Sequence, residues 1–272
     1  MTLAVQQDFR VGQVISQSIA TTIRNIVPFG AVAVAAVVVI AILFMLLSTV
    51  FGLSMMMPGQ MGPGMEVAAF GVNFFIGMTI FGLLAFAIYM LVVAVIVYGT
   101  VQDLRGQPVG IGGLLANGVN LVGPVLSTVI VLIGVGLAAD IIAYVLNHIP
   151  VLGPIVSLVM FAFLYVSLWV TIPVAVVERP GPTASLQRSF ALTAGNRWKI
   201  LGVFLLVIAI VFAIAVVMMI IALISWTIAT ILLLAFYAGL FIFSAVLIAT
   251  GYYRLRVAKE GADIGDIARV FD

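Results

Sequence analysis

Residues 199–224 read KILGVFLLVIAIVFAIAVVMMIIALI, and after Lys199 the run carries no charge. A helix on the surface of a soluble protein needs a polar stripe, and this one has none. A helix that crosses a bilayer needs about 20 apolar residues in sequence. Five more runs of the same kind lie outward from it, at about 27–53, 68–100, 121–146, 151–177 and 227–252. The reading is an all-α polytopic membrane protein with six spans.

Composition closes off the other classes. Of 272 residues 65% are hydrophobic and 7% charged, against roughly 45–50% and 25% in soluble domains. So few charges cannot solvate the surface of a soluble enzyme, a disordered chain or a nucleic-acid-binding domain, and no nucleic-acid partner is expected. The net charge of +2 and pI near 9.1 rest on those few groups. There is no cysteine and one histidine, His148, so disulfides, thiolate nucleophiles and Cys- or His-rich metal sites are not expected. Residues 1–25 contain Asp8, Arg10 and several glutamines in place of a compact apolar core. They are read as a retained N-terminal segment and not as a cleaved leader.

The basic residues set the expected orientation. All 11 lie in the two tails or in the loops after the second and fourth spans. Short loops rich in Lys and Arg stay in the cytoplasm, so both termini are expected to be cytoplasmic. Trp198, Tyr98, Tyr252 and Tyr253 fall at the inner interface and Trp226 at the outer one, where aromatic belts form. The longest outer loop, SMMMPGQMGPGMEV (54–67), offers soft thioethers. Methionine is also a general apolar filler, and a loop resting on the lipid interface is the favoured reading. No metal or cofactor is expected.

A repeat of about 75 residues runs through the chain. Three times, a short amphipathic stretch precedes two spans and a charged inner segment follows them. The stretches are Val11, Ile15, Ile19 and Ile23 at i, i+4 spacing; Leu114, Leu115 and Val119; and Leu186 with Phe190, where Gly195 ends a helix. The units run about 11–110, 111–183 and 184–261 within a single membrane domain of 1–272. Each adds an even number of spans, so all three share one orientation, as parallel and not inverted repeats do. The stretches read as interfacial helices with apolar faces at the headgroup level, or as cytoplasmic lids under the bundle. A short amphipathic tail, 262–272, carries Ile264, Ile267, Ala268 and Phe271 on one face.

Asp140 is the one acid inside an apolar run, and intramembrane acids are functional candidates by default. Gly136, Asp140 and Tyr144 share a helix face that His148 extends. Two roles fit Asp140: a proton- or cation-responsive carboxylate, or a structural acid that bonds a neighbouring helix or reaches interfacial water. Gly134 and Ala138 make a small-xxx-small pair. Pro173 is expected to kink the fourth span, and Asn73, Thr79 and Tyr89 mark a polar side of the second. Arg188, Arg197, Lys199, Arg254, Arg256 and Lys259 are candidate contacts for anionic lipid. The acids Asp103, Glu178 and Glu260 read as partners of nearby arginines. No nucleophile elbow, phosphate loop or paired-His motif occurs, and an enzyme is not expected.

The segments YGTVQDLRGQP (98–108), PVAVVERPG (173–181), 184–198 and YYRLRVAKEG (252–261) resemble the bacterial glycerophosphoryl diester phosphodiesterase membrane-domain family, with YciC-like inner-membrane proteins as relatives. The resemblance covers nearly the whole chain. It implies a multi-pass bacterial inner-membrane protein and says little of activity. The catalytic part of the fusions behind that name is a separate domain with paired histidines and metal-binding carboxylates. None of its residues carries over to this chain, so phosphodiesterase activity is not expected. The function expected is a non-enzymatic protein that organises lipid or serves as an accessory subunit of a larger membrane assembly or homo-oligomer. The alternative is a small transporter or lipid-translocating protein that uses Asp140.

Overall fold

The computed structural model describes residues 9–51 and 67–261. Nearly all of the Met/Gly/Pro loop, and the amphipathic tail at 262–272, lie outside the described residues. Among the described residues nine helices follow in chain order: α1 (Val11–Arg24), α2 (Ile26–Val50), α3 (Val67–Leu104), α4 (Ile111–Leu146), α5 (Leu152–Leu168), α6 (Thr171–Val177), α7 (Pro182–Thr193), α8 (Arg197–Ile224) and α9 (Trp226–Glu260). Among the described residues there is no strand. Six spans are long and apolar enough to cross a membrane: α2, α3, α4, α5 with α6, α8 and α9. The chain is an all-α, multi-pass membrane protein. The ends of its spans are distinguished here by charge. The charged end carries α1, α7 and the α3–α4 and α6–α7 connections.

Packing follows a cyclic order. The second spans of the three hairpins, α3, α6 and α9, touch one another pairwise along the middle of the bundle. The start of α4 packs on α3 of the preceding hairpin, and α7 packs on α4, α5 and α6. Helix α1 packs on α8 and α9. Each amphipathic stretch therefore seats on the hairpin before it in the cycle. The contact of α1 with the last hairpin closes the circle between the two ends of the chain without a covalent link.

The face used for this packing mixes small polar side chains with apolar ones. Buried positions recur at i, i+4, i+7 and i+11: Val14, Ser18, Thr21 and Asn25 in the first stretch, with Leu114, Leu121 and Val125 around half-buried Gly118 in the second. In the third they are Ser185, Ser189 and Leu192, followed by half-buried Asn196. Small side chains let the helices approach, and their hydroxyls donate to carbonyls of their own or a neighbouring helix. Ser18 donates to the Val14 carbonyl at 2.7 Å, and Ser189 donates to the Ser167 carbonyl at 2.8 Å. Ile19 and Ile23 stay exposed, as residues facing the headgroup boundary would.

Three expectations need correction or detail. Residues 111–120 are not a separate short helix; they are the first turns of α4, which continues through Pro124. The first and third stretches break at Asn25 and at Gly195, whose φ of +84 suits glycine. No such residue interrupts the second. The fourth span is broken, as Pro173 predicts: α5 ends at Leu168 and α6 begins at Thr171. A proline has no N–H to donate to the carbonyl four residues earlier, here Trp169, and its ring clashes with that carbonyl. Finally, Gly134 and Ala138 are exposed. The α4–α5 hairpin instead buries Ala139 and Ala143 on one helix and Gly153 and Ser157 on the other.

Candidate functional site

At the charged end, a polar cluster joins the second and third hairpins. Glu178, which caps α6, accepts from Arg188 Nε at 2.8 Å and from the Tyr252 hydroxyl at 2.8 Å. Arg188 also donates through Nη2 to Glu260, and Arg256 donates to Glu260 at 3.1 Å and to the Tyr252 hydroxyl at 3.3 Å. Lys259 donates to the Ala191 carbonyl. One arginine of α7 thus bridges the end of α6 to the end of α9. The first hairpin has an analogous pair, Arg24 with Asp103, whose Nε–Oδ1 distance is 2.8 Å. The hydrogen bond to Asp103 and its charge raise the Arg24 pKa. Burial disfavours the charge on Arg188, but the bonds to Glu178 and Glu260 outweigh it and raise that pKa too. Both guanidiniums stay charged at any physiological pH.

The six candidate lipid-contact residues are held in different ways. Arg188 and Arg256 are committed to internal ion pairs. Arg197 lies over the Phe163 ring at 4.6 Å and the Phe190 ring at 5.8 Å, a cation–π seat between α5 and α7. Lys259 is turned to a backbone carbonyl, and Lys199 is half-buried at the start of α8. Arg254 sits near the end of α9. Its Nε donates to Gln17 of α1 at 2.9 Å. Asp103, Glu178 and Glu260 do pair with arginines, but only the Glu260–Arg256 pair is local; Asp103 pairs with Arg24, 79 residues away, and Glu178 with Arg188. Tyr252 is no belt residue: it is 1% exposed, in the core. Trp198 and Trp226 are 85% and 77% exposed.

Asp140 lies elsewhere. It is on the exposed side of α4, about 9 Å short of the helix end at Leu146. It makes no hydrogen bond or ion pair among the described residues. Tyr144 and His148 do meet. Their rings are edge-to-face at 5.1 Å, and His148 Nδ1 lies 2.9 Å from the Tyr144 carbonyl oxygen. Both side chains are exposed at the uncharged end. Asp140 and Tyr144 share a face of α4, His148 lies in the turn after it, and no second element closes over them among the described residues. In the second span, Asn73 and Thr79 are exposed, and Thr79 donates to its own helix at Phe75.

Sequence reasoning missed two cavities beside the α8–α9 pair. The first, about 310 Å³, lies between Ile15 and Ile19 of α1, Val207 and Val211 of α8, and Gly239 and Phe243 of α9. The second, about 600 Å³, involves Tyr89 of α3, Phe212 and Ala215 of α8, and Tyr237 and Ser244 of α9. Val207, Val211 and Leu240 line both. Volumes of roughly 300–1,000 Å³ suit small ligands, and these linings are almost wholly hydrocarbon. Tyr89 and Ser244 are the polar exceptions, with Tyr237 at the rim. The available signal was Gly239, a residue without a side chain in an otherwise bulky run. Asp140, Tyr144, His148 and Pro173 line neither cavity.

The chemistry available at these cavities is therefore apolar holding. No family model matches the chain, and the comparisons with characterised proteins and with solved structures find no match.

Proposed function

We propose that the chain is a non-enzymatic multi-pass protein of the bacterial cytoplasmic membrane, with both termini cytoplasmic, whose task is to organise lipid. The observation that carries this reading is the pair of hydrocarbon-lined cavities beside α8 and α9. Its second support is the use of the charged residues in internal pairs, which leaves little polar surface for chemistry on a soluble substrate. Service as an accessory subunit is compatible with it, because α2 and α8 bury almost nothing within the chain. The resemblance to the phosphodiesterase membrane-domain family belongs to the same proposal. Transport through Asp140 has weaker support, since that carboxylate lines neither cavity.

The test is gentle extraction from the native membrane followed by native mass spectrometry. A chain that carries phospholipid in fixed stoichiometry is the expected result. A chain recovered folded without lipid, or bound in fixed ratio to another protein and without lipid, overturns it. Orientation is tested separately: a reporter fused after Asp272 reads cytoplasmic and one inserted at Gly59 reads external.

A further inference from the structure

Helix α1 is held differently from the other two amphipathic stretches. The second stretch is the start of α4 and cannot leave its span. The third, α7, is pinned by Arg188 to Glu178 and Glu260 and by Ser189 to the Ser167 carbonyl. Helix α1 seats on α8 and α9, at the seam where the first and last hairpins meet without a covalent link. Across that seam Gln17 accepts from Arg254 Nε at 2.9 Å. The ion pair of Arg24 with Asp103 lies within the first hairpin, beside the break at Asn25. It persists whether or not the helix stays on α9.

The seat is one that α1 can leave at small cost. The buried residues of the helix are Val14, Ser18, Thr21 and Thr22, mostly hydroxyls that water or headgroups solvate. The Thr22 hydroxyl is buried there without a hydrogen-bond partner, a penalty that solvation removes. Phe9, ahead of the helix, is also buried, and lipid tails solvate it nearly as well as a core does. Ile19 and Ile23 are already exposed, on a stripe that suits the headgroup boundary. Synthesis requires an undocked state as well. Helix α1 is made before the spans it seats on, so it rests elsewhere until α9 is complete. Asn25, with φ of −109 and ψ of +22, departs from helical geometry and gives the helix a pivot.

We propose that α1 is a strap: it undocks from α8 and α9 by pivoting at Asn25, while its apolar stripe stays at the membrane surface. Ile15 and Ile19 form one wall of the cavity of about 310 Å³, so undocking opens that cavity at the seam. The proposal does not depend on what the cavity holds.

The chain has no cysteine, so a single introduced thiol reports on its own position. The full chain in phospholipid nanodiscs is treated with a water-soluble maleimide. Ser18→Cys on α1 and Ser189→Cys on α7 replace residues that are each 0% exposed with side chains of similar size. Ser18→Cys should label about tenfold faster or more, as local opening of one helix implies. Arg254→Gln weakens a hydrogen bond from a charged donor, so it should raise the Ser18→Cys rate about tenfold further and leave the Ser189→Cys rate unchanged. Thr21→Cys, at another buried position of α1, repeats the measurement where Ser18→Cys lowers the melting temperature. Protection of Ser18→Cys and Thr21→Cys equal to that of Ser189→Cys, in a folded chain, overturns the strap. An equal rise at α1 and α7 with Arg254→Gln also overturns it, because the whole bundle would then be loosening.

Discussion

The two ends of the bundle are built on different rules. At the charged end large side chains are buried together with small ones: Phe29, Ile96, Leu114, Leu121, Tyr252 and Leu255 are all within 1% exposure, as are Ser18, Thr21, Ser185 and Ser189. At the other end the buried residues are small: Ser48, Ala139, Ala143, Gly153, Ser157 and Ala229. There the large apolar residues, such as Phe212, Met219, Leu223 and Ile224, are exposed. Lipid tails solvate leucine as well as a protein core does, so helices in a membrane gain little by burying bulk. Tight contact comes instead where backbones can approach or where polar groups need partners. The charged end has both, because three seated helices and their ion pairs cross from one hairpin to the next. The uncharged end has neither, apart from the α4–α5 turn.

The strongest way to break this comparison is to add a methyl group at the charged end. A Cβ on Gly251 would come within 2.3 Å of the Trp169 ring. Gly251→Ala should cost about 1–3 kcal/mol or more through overpacking, read as a lower melting temperature in detergent. Gly136→Ala, with nothing within 4 Å of the new atom, should leave it unchanged. Equal effects would show that the two ends are packed alike.

Next in size is the polar bridge. Arg188→Met and Glu178→Gln should each destabilise by about 1–3 kcal/mol, the range for hydrogen bonds to charged groups. The double variant should lose less than their sum, because they share one interaction. Strict additivity would remove the bridge from the account. The Arg24–Asp103 pair offers an internal scale: Arg24 is 62% exposed at its side chain, so Arg24→Gln should cost only about 0–1 kcal/mol.

A gain is expected at the uncharged end. Val151 in the α4–α5 turn has a φ of +65, which is unfavourable for a β-branched residue. Val151→Gly should stabilise by about 1 kcal/mol, after the entropy cost of glycine is counted. A loss would mean that the valine side chain holds the turn. The smallest effect is expected from Asp140→Asn, within about 0.5 kcal/mol for an exposed site with no partner. A loss of insertion or a large drop in melting temperature would give Asp140 a partner beyond the described residues.

Much of this was legible in the sequence because the bilayer imposes a coarse ruler. Runs of about 20 apolar residues need no knowledge of neighbours to be recognised. The break before Pro173, the turn at Gly195 and the pairing of Glu178 and Glu260 with arginines followed from local rules. The packing faces did not. The apolar stripe Val11, Ile15, Ile19 and Ile23 was the conspicuous one, yet Ser18 and Thr21 are the buried residues beside it. Gly134 and Ala138 were chosen over Ala139 and Ala143 for the same reason. In lipid, hydrophobicity does not tell which side of a helix meets another helix.

The candidate site divides in the same way. The inner arginines were identifiable as a group, but which of them spends its donors internally depends on elements far apart in the chain. Arg188 reaches across to Glu260, and Arg254 reaches Gln17 from the opposite end of the sequence. The cavities are a property of how α1, α8 and α9 lean on one another, and only Gly239 hinted at them.

The sequence by itself determined that this chain is helical, polytopic and six-spanned, because a backbone in hydrocarbon must satisfy its own hydrogen bonds. It also set which loops share a side, through the placement of 11 basic residues. The tertiary structure alone decided the cyclic seating of each short helix on its neighbour, the tight end and the loose end, and the empty space beside α9. Those depend on contacts between surfaces that lipid would solvate equally well, so only shape and polar partners choose among them.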